Sequence, residues 1–396
     1  MPDTLLQAPP VSSPRTTPGR CRVVVIWIDW YAYHIARFLG LANNPDLAGT
    51  VAGVEMVGGI GVHTGLRFRE ELPPDLPVET LFPGQNWADA GQWRLAKALW
   101  RRLDALDPEV VLVPGYYTLP SIAAAVWARA HRRKSVLMTE STQDDHRRSA
   151  LKEMAKSLLV RTLFNWAVAG GSRHVSYLAA LGFPSGRVAR FYDVVDNEGL
   201  YQRAQQLRRE AGPMAPAPCF LYVGRLAQEK NLTRLLDAYI AHRADGGSWP
   251  LILAGDGPER VALTAQAARS PFAADIHFTG HQSSAELPRH YAFAGCLVLP
   301  SSREPWGLVV NEAMACGLPV LVSKQCGCAD DLVADGVNGF VFDPFRSAEL
   351  IASLAAMEGL NRQQWLLMSA QSLERIAGYS PRHFGEQIAA IAGTSP

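Results

Sequence analysis

The sequence predicts an α/β protein of two halves, each built on an open parallel sheet. Three observations predict it. Short apolar runs rich in β-branched residues recur along the chain, helix-like stretches alternate with them, and a single Pro-rich interruption is followed by a restart of the same alternation.

In the first half, residues 23–28 form an unbroken apolar run, as expected of a strand covered on both faces. A helix-like stretch at 34–41 leads to a second apolar run at 51–57. Further strands are expected at 109–114, 135–139 and 167–169, the last ending at Gly170-Gly171, with helices at 121–133, 147–166 and from there to Leu181. A helix-like segment at 199–210 then gives way to 211–218, where three prolines and a glycine in eight residues cannot continue a helix.

The second half opens with a strand at 219–223 and a helix at 232–241, whose Leu232, Leu235, Leu236, Tyr239 and Ile240 share one face. Strands are expected at 251–254, 276–279, 296–300 and 319–323, and helices at 259–269, 285–292, 308–316 and 348–357. The expected domains are a disordered tail (1–20), a first Rossmann-like domain (21–198), a linker (199–218) and a second Rossmann-like domain (219–375). A last helix (376–396) could pack back on the first half.

Composition narrows the function classes. The 396 residues are 48% apolar and 19% charged, enough for two sizeable cores. With 38 basic and 37 acidic residues the net charge is +1, so no bulk field draws the chain to nucleic acid. The first twenty residues lack the apolar core of a signal peptide, and no run of 18 apolar residues occurs. A soluble cytoplasmic protein is expected, with at most peripheral contact at the inner face of a membrane. Six cysteines, of which only Cys326 and Cys328 are close, read as buried reduced thiols rather than a metal frame.

The strongest site signal runs from Arg303 to Gly317. It carries Glu304 and Glu312 eight residues apart. Pro305 disfavours a helical Glu304, so that carboxylate belongs in a loop. Gly307 opens a helix that Gly317 and Pro319 end. Glu304 then lies beside the free N–H groups near Gly307 and Leu308, an arrangement that attracts phosphate. One carboxylate can bind sugar hydroxyls while the other reaches a ribose. The competing reading is an amphipathic helix with two solvated glutamates.

Two further motifs precede it. In the segment 224–231, Arg225 follows a strand, Lys230 precedes a helix, and Asn231 is expected to cap that helix. Both cations then sit at the C-terminal edge of the sheet, where a guanidinium and an ammonium suit a diphosphate, unless they are ordinary loop cations. The turn Gly255-Asp256-Gly257-Pro258 either lets backbone approach a ligand or is a plain tight turn.

The order of these motifs carries a resemblance. Residues 219–345 resemble the donor-binding half of the GT-B glycosyltransferases, in particular the retaining family 4 (glycosyl transferases group 1). The E-x7-E pair, the helix ending Ala-Cys-Gly-Leu-Pro-Val and Gly336-Val337-Asn338-Gly339-Phe340 carry the likeness. The first half matches in general layout. The resemblance implies two Rossmann-like domains facing a cleft and a nucleoside diphosphate sugar donor. It implies transfer of a hexose-type unit to an acceptor hydroxyl with retention, and neither metal nor cofactor.

It implies catalytic roles for Arg225 and Lys230 on the diphosphate and for Glu304 on the sugar. Donor contacts would come from Gly224, Gly255, Asp256, Gly257, Gly307, Leu308, from Glu312 on the ribose, and from His281 and Gln282 near the base. The acceptor, a glycan, lipid-linked sugar or small metabolite, would meet the first half. There the loop Asp29-Trp30-Tyr31-Ala32-Tyr33-His34 departs from the glycine-rich loop common in the family. Many members carry a histidine where this chain has Glu140-Ser141-Thr142. Tyr31, His34 and Glu140 are therefore acceptor-side candidates, against ordinary packing. Gly58-Gly59-Ile60-Gly61 fails as a dinucleotide fingerprint because Thr64 stands for the third glycine. The alternatives are a sugar-nucleotide epimerase, a silent nucleotide-sugar-binding subunit and, more distantly, a nicotinamide oxidoreductase.

Overall fold

The structure, a computed structural model, describes residues 21–59, 72–143, 149–214 and 216–394. The expected disordered tail, Ile60, Gly61 and Thr64 lie outside these residues.

Seven strands make the first sheet: β1 (Val23–Trp27), β2 (Val51–Val57), β3 (Val78–Phe82), β4 (Val110–Pro114), β5 (Lys134–Thr139), β6 (Trp166–Ala169) and β7 (Val188–Ala189). Their order is β3-β2-β1-β4-β5-β6-β7 and every pairing is parallel. Because side chains alternate along a strand, Val24 and Ile26 of β1 enter one core while Val23, Val25 and Trp27 enter the other. An all-apolar run is the consequence of that double coverage.

Six strands make the second sheet: β8 (Phe220–Val223), β9 (Leu251–Ala254), β10 (Ile276–Gly280), β11 (Cys296–Leu299), β12 (Val320–Ser323) and β13 (Gly339–Phe342). Their order is β10-β9-β8-β11-β12-β13, again all parallel. In each sheet the strand order reverses beside the first strand, between β1 and β4 and between β8 and β11. Such switch points leave a crevice at the strands' C-terminal ends.

The sequence reading passed over β3, β7, β13 and the helices Gln92–Leu106 and Arg362–Ala377. β3 is an edge strand whose side chains are half-buried or exposed, so it carries no apolar run. Gln92–Leu106 buries Leu95, Leu99 and Leu103, an i, i+4, i+8 stripe that was visible in the sequence.

The helix Asn197–Ala211 is capped by Asp196, whose carboxylate accepts the Gly199 N–H at 3.0 Å. Ala204, Leu200 and Leu207 pack into the core of the second sheet, and Arg208 donates to the carbonyls of Ala292 (2.8 Å) and Cys316 (2.9 Å). The helix expected at 199–210 thus packs with the second half.

The last helix, Pro381–Gly393, lies across the helix Ala32–Ala42 of the first half. Glycines allow the approach: a Cβ on Gly40 would fall 2.1 Å from the Pro381 carbonyl oxygen, and one on Gly385 2.1 Å from that of Gly40. Phe384, Ile388 and Ile391 complete the core around Phe38 and Leu41. Lys134, at the start of β5, caps this helix by donating from Nζ to the carbonyls of Ile391 and Ala392, each at 3.0 Å, and of Thr394. Lys134→Met is expected to weaken local docking of the helix by about 1.5–3 kcal/mol, the worth of hydrogen bonds to a charged group. Faster amide exchange over 384–392 would show it, and unchanged exchange would mean that water replaces the ammonium without cost. No described helix is long and apolar enough to cross a membrane.

Candidate active site

The loops after β8, β9, β10 and β11 surround a cleft of ≈540 Å³ at the second sheet's switch point. Gly224, Arg225, Lys230, Gly255, Asp256, His281, Gln282 and Glu304 line it together. The volume lies within the range of small-ligand pockets, about 300–1,000 Å³. Each of these two cations has a carboxylate partner. Arg225, half-exposed, donates to Glu229 at 2.8 Å, and Lys230 is ion-paired with the largely buried Glu304 carboxylate. Ser301 donates to the same Glu304 oxygen at 3.0 Å.

Local backbone explains how these groups meet. The Tyr222 hydroxyl donates to the Arg225 carbonyl at 2.8 Å, fixing the turn after β8. Asn231 does not cap the following helix as the sequence suggested. It takes a left-handed conformation (φ 58°), which asparagine tolerates, and its amide donates to the carbonyls of Pro300 (3.1 Å) and Pro344 (3.0 Å). It thereby ties the Lys230 loop to the strand end that leads to Glu304. The glycines of 255–257 also serve the fold: a Cβ on Gly255 would fall 1.8 Å from the Gly224 oxygen, and one on Gly257 2.4 Å from that of Leu226. They let two adjacent loops touch.

Glu304 sits in the loop that Pro305 was expected to impose, and Gly307 (φ 104°) precedes the helix Leu308–Ala315. The Glu304 carbonyl accepts the Gly327 N–H at 2.9 Å. A Cβ at Gly327 would fall 1.7 Å from the Pro305 oxygen, which accounts for the glycine between Cys326 and Cys328. Both thiols are free and buried, and burial pushes their pKa values well up. Gly257, Gly307, Leu308 and Glu312 lie outside the residues lining the cleft. Glu312 is half-buried and accepts the Tyr291 hydroxyl at 2.6 Å.

The end of the first sheet assembles a different set. Tyr31 donates to Asp29 at 2.6 Å. His34 is turned inward: it is buried, stacks on Trp27 with ring centroids 4.5 Å apart, and accepts the Tyr31 N–H at 3.3 Å. Burial, then the Arg37 cation, holds its pKa well below the usual histidine range, so it packs as a neutral ring. Glu140 is half-buried.

Asp193 was missed in the sequence. It forms a fully buried ion pair with Arg37 at 3.0 Å, and Arg37 lies over the Tyr192 ring at 4.2 Å. Burial, then Glu140, raises the Asp193 pKa well above the usual carboxylate range, against the pull of Arg37. The Asp193 carbonyl accepts the Asn311 amide at 2.9 Å, which joins this cluster to the helix after Glu304. The partners are 156 residues apart, and no spacing rule reveals them. Trp306 was also missed as a site element. It is buried against Gly170 and Gly171, whose pairing in the sequence marks where it approaches.

Comparison with known proteins gives this cleft a context. Residues 204–364 match the family model for glycosyl transferases group 1. The likeness to this family is carried by that part of the chain. Among its relatives, the alpha-D-kanosaminyltransferase of Streptomyces kanamyceticus is 30% identical over 190 residues, 48% of each chain. The chain thus spans about half the length of that relative. The GDP-mannose-dependent alpha-(1-6)-phosphatidylinositol dimannoside mannosyltransferase of Mycobacterium tuberculosis is 28% identical over 293 residues, 68% of this chain and 72% of the relative. Anabaena HepE, solved in complex with UDP-glucose, superposes with a TM-score of 0.70 at 19% identity, over 93% of this chain and 98% of its own. The fold is therefore GT-B, two parallel α/β sheets, in agreement with the sequence.

Two of the motifs that carried the group 1 likeness prove to be structural. Asn338 is fully buried in the turn before β13, accepting the Ala334 N–H at 2.8 Å and donating to the Leu332 carbonyl at 3.1 Å. Gly317 (φ 78°) ends the helix that carries Glu312. The group 1 pattern therefore mixes residues that shape the second sheet's loops with those that line the cleft.

Proposed function

We propose that the protein is a glycosyltransferase that moves a hexose-type sugar from a nucleoside diphosphate sugar to an acceptor hydroxyl, with retention and without a metal ion. The observation that carries this reading is the convergence of Arg225, Lys230 and Glu304 on one cleft at a sheet switch point. A diphosphate bound here would meet Arg225 and Lys230, each of which is paired with a carboxylate. Transfer builds negative charge on the departing diphosphate, and fixed cations lower that barrier without reorganisation. Glu304 would hold sugar hydroxyls, Glu312 the ribose, and the backbone at His281 and Gln282 the base. The first half (21–198) would take the acceptor beside Tyr31 and Glu140, and the second (219–375) the donor. The family match over 204–364 and the donors named for the relatives support this assignment.

A thermal-shift screen of sugar nucleotides tests donor binding, because ligand at 100 times its Kd stabilises by about 2.7 kcal/mol. Release of nucleotide with mixed acceptors tests transfer. Lys230→Ala is expected to weaken nucleoside diphosphate binding roughly 10- to 100-fold, the loss of a charge-assisted contact. Unchanged binding would remove Lys230 from the site. Conversion of donor with no acceptor present would favour an epimerase, and binding without turnover a silent subunit.

A further inference from the structure

We propose that His174, from the first half of the molecule, is a positioning residue for Glu304, through which docking of the two halves sets the geometry of the sugar-binding loop. The role given to Glu304 rests on the function proposed above.

His174 lies in the first turn of the helix Ser172–Ala180 and is fully buried. Its Nδ1 accepts the Gly171 N–H at 3.1 Å, which fixes the ring and leaves the proton on Nε2. Nε2 then donates to the Pro305 carbonyl at 3.1 Å, one peptide from Glu304. On its other side that carbonyl is bounded by Gly327, where no side chain fits. Its orientation is thus set from both halves at once.

The neighbouring residues seat this corner. Ser172 donates from N and Oγ to Asp331, both at 2.8 Å, and Arg173 makes a bidentate contact with Asp330 at 2.6 and 3.0 Å. Trp306 fills the space over the two glycines, where a Cβ on Gly171 would fall 2.5 Å from its ring. Three consecutive side chains therefore each bond the opposite half, and the bond from His174 goes to the Glu304 loop. A misplacement of about 1 Å in such a support can cost about 100-fold in rate.

The test uses the full chain with His174→Phe, which keeps a buried ring and removes the donor, and His174→Gln, whose amide can donate to the Pro305 carbonyl. The control Arg173→Ala removes an exposed ion pair from the same contact. His174→Phe is expected to lower kcat roughly 10- to 100-fold with a far smaller change in donor KM, and to speed amide exchange over 303–308. His174→Gln is expected to recover most of both, and Arg173→Ala to leave both unchanged. The proposal is overturned if His174→Phe leaves kcat and exchange unchanged. It is equally overturned if His174→Gln stays as slow as His174→Phe, or if Arg173→Ala reproduces the loss. Should the wild-type chain turn over no sugar nucleotide, the functional reading fails, and the exchange comparison still decides whether His174 holds the loop.

Discussion

Replacing Glu304 by alanine is expected to lower kcat by about 100- to 1,000-fold, the size of effect seen when a preorganised polar contact to a transition state is lost. Nucleoside diphosphate affinity should hold or improve. Glu304 is the ion-pair partner of Lys230, so it would compete with phosphate for that ammonium. Removing it leaves Lys230 free to bind the anion, whereas the sugar loses its carboxylate. Turnover measured by nucleotide release should therefore fall while binding measured by calorimetry does not. A fully active Glu304→Ala protein, or one that no longer binds the diphosphate, would overturn the assignment.

The largest effect on stability is expected from Asp193→Ala. Arg37 and Asp193 are both fully buried, and breaking such a pair strands a charge at a cost of about 3–5 kcal/mol. Chemical denaturation followed through the first half should show it. The double variant Arg37→Met/Asp193→Leu should recover much of the loss, because it removes the stranded charge together with its partner. If the single and double variants lose equal stability, the damage comes from packing and not from charge.

Much of the second half was legible in the sequence, for a physical reason. Doubly covered strands such as β8 and β9 must be apolar on both faces, and the loops that follow them are short, so Arg225, Lys230 and Asp256 were tied by chain connectivity to one edge of one sheet. Pro305 and Gly307 fixed the loop character of Glu304 through their own backbone limits. The first half was less readable because β3 is a half-exposed edge strand and carries no apolar run.

Other features came from tertiary structure alone. No local rule anticipates that Asn231 would tie two strand ends instead of capping a helix, or that the glycines of 255–257 would let one loop touch another. Nor does any spacing bring Arg37 to Asp193, or His174 to the carbonyl beside Glu304. By itself the sequence determined the doubly covered apolar strands, the loops after them and the chemistry those loops carry, because backbone preference and apolar periodicity act over a few residues. The partners of Glu304, the inward turn of His34 and the joining of the two halves were decided only by the folded chain. Hydrogen bonds and buried ion pairs depend on distances in space, and those distances exist only once both sheets have been packed.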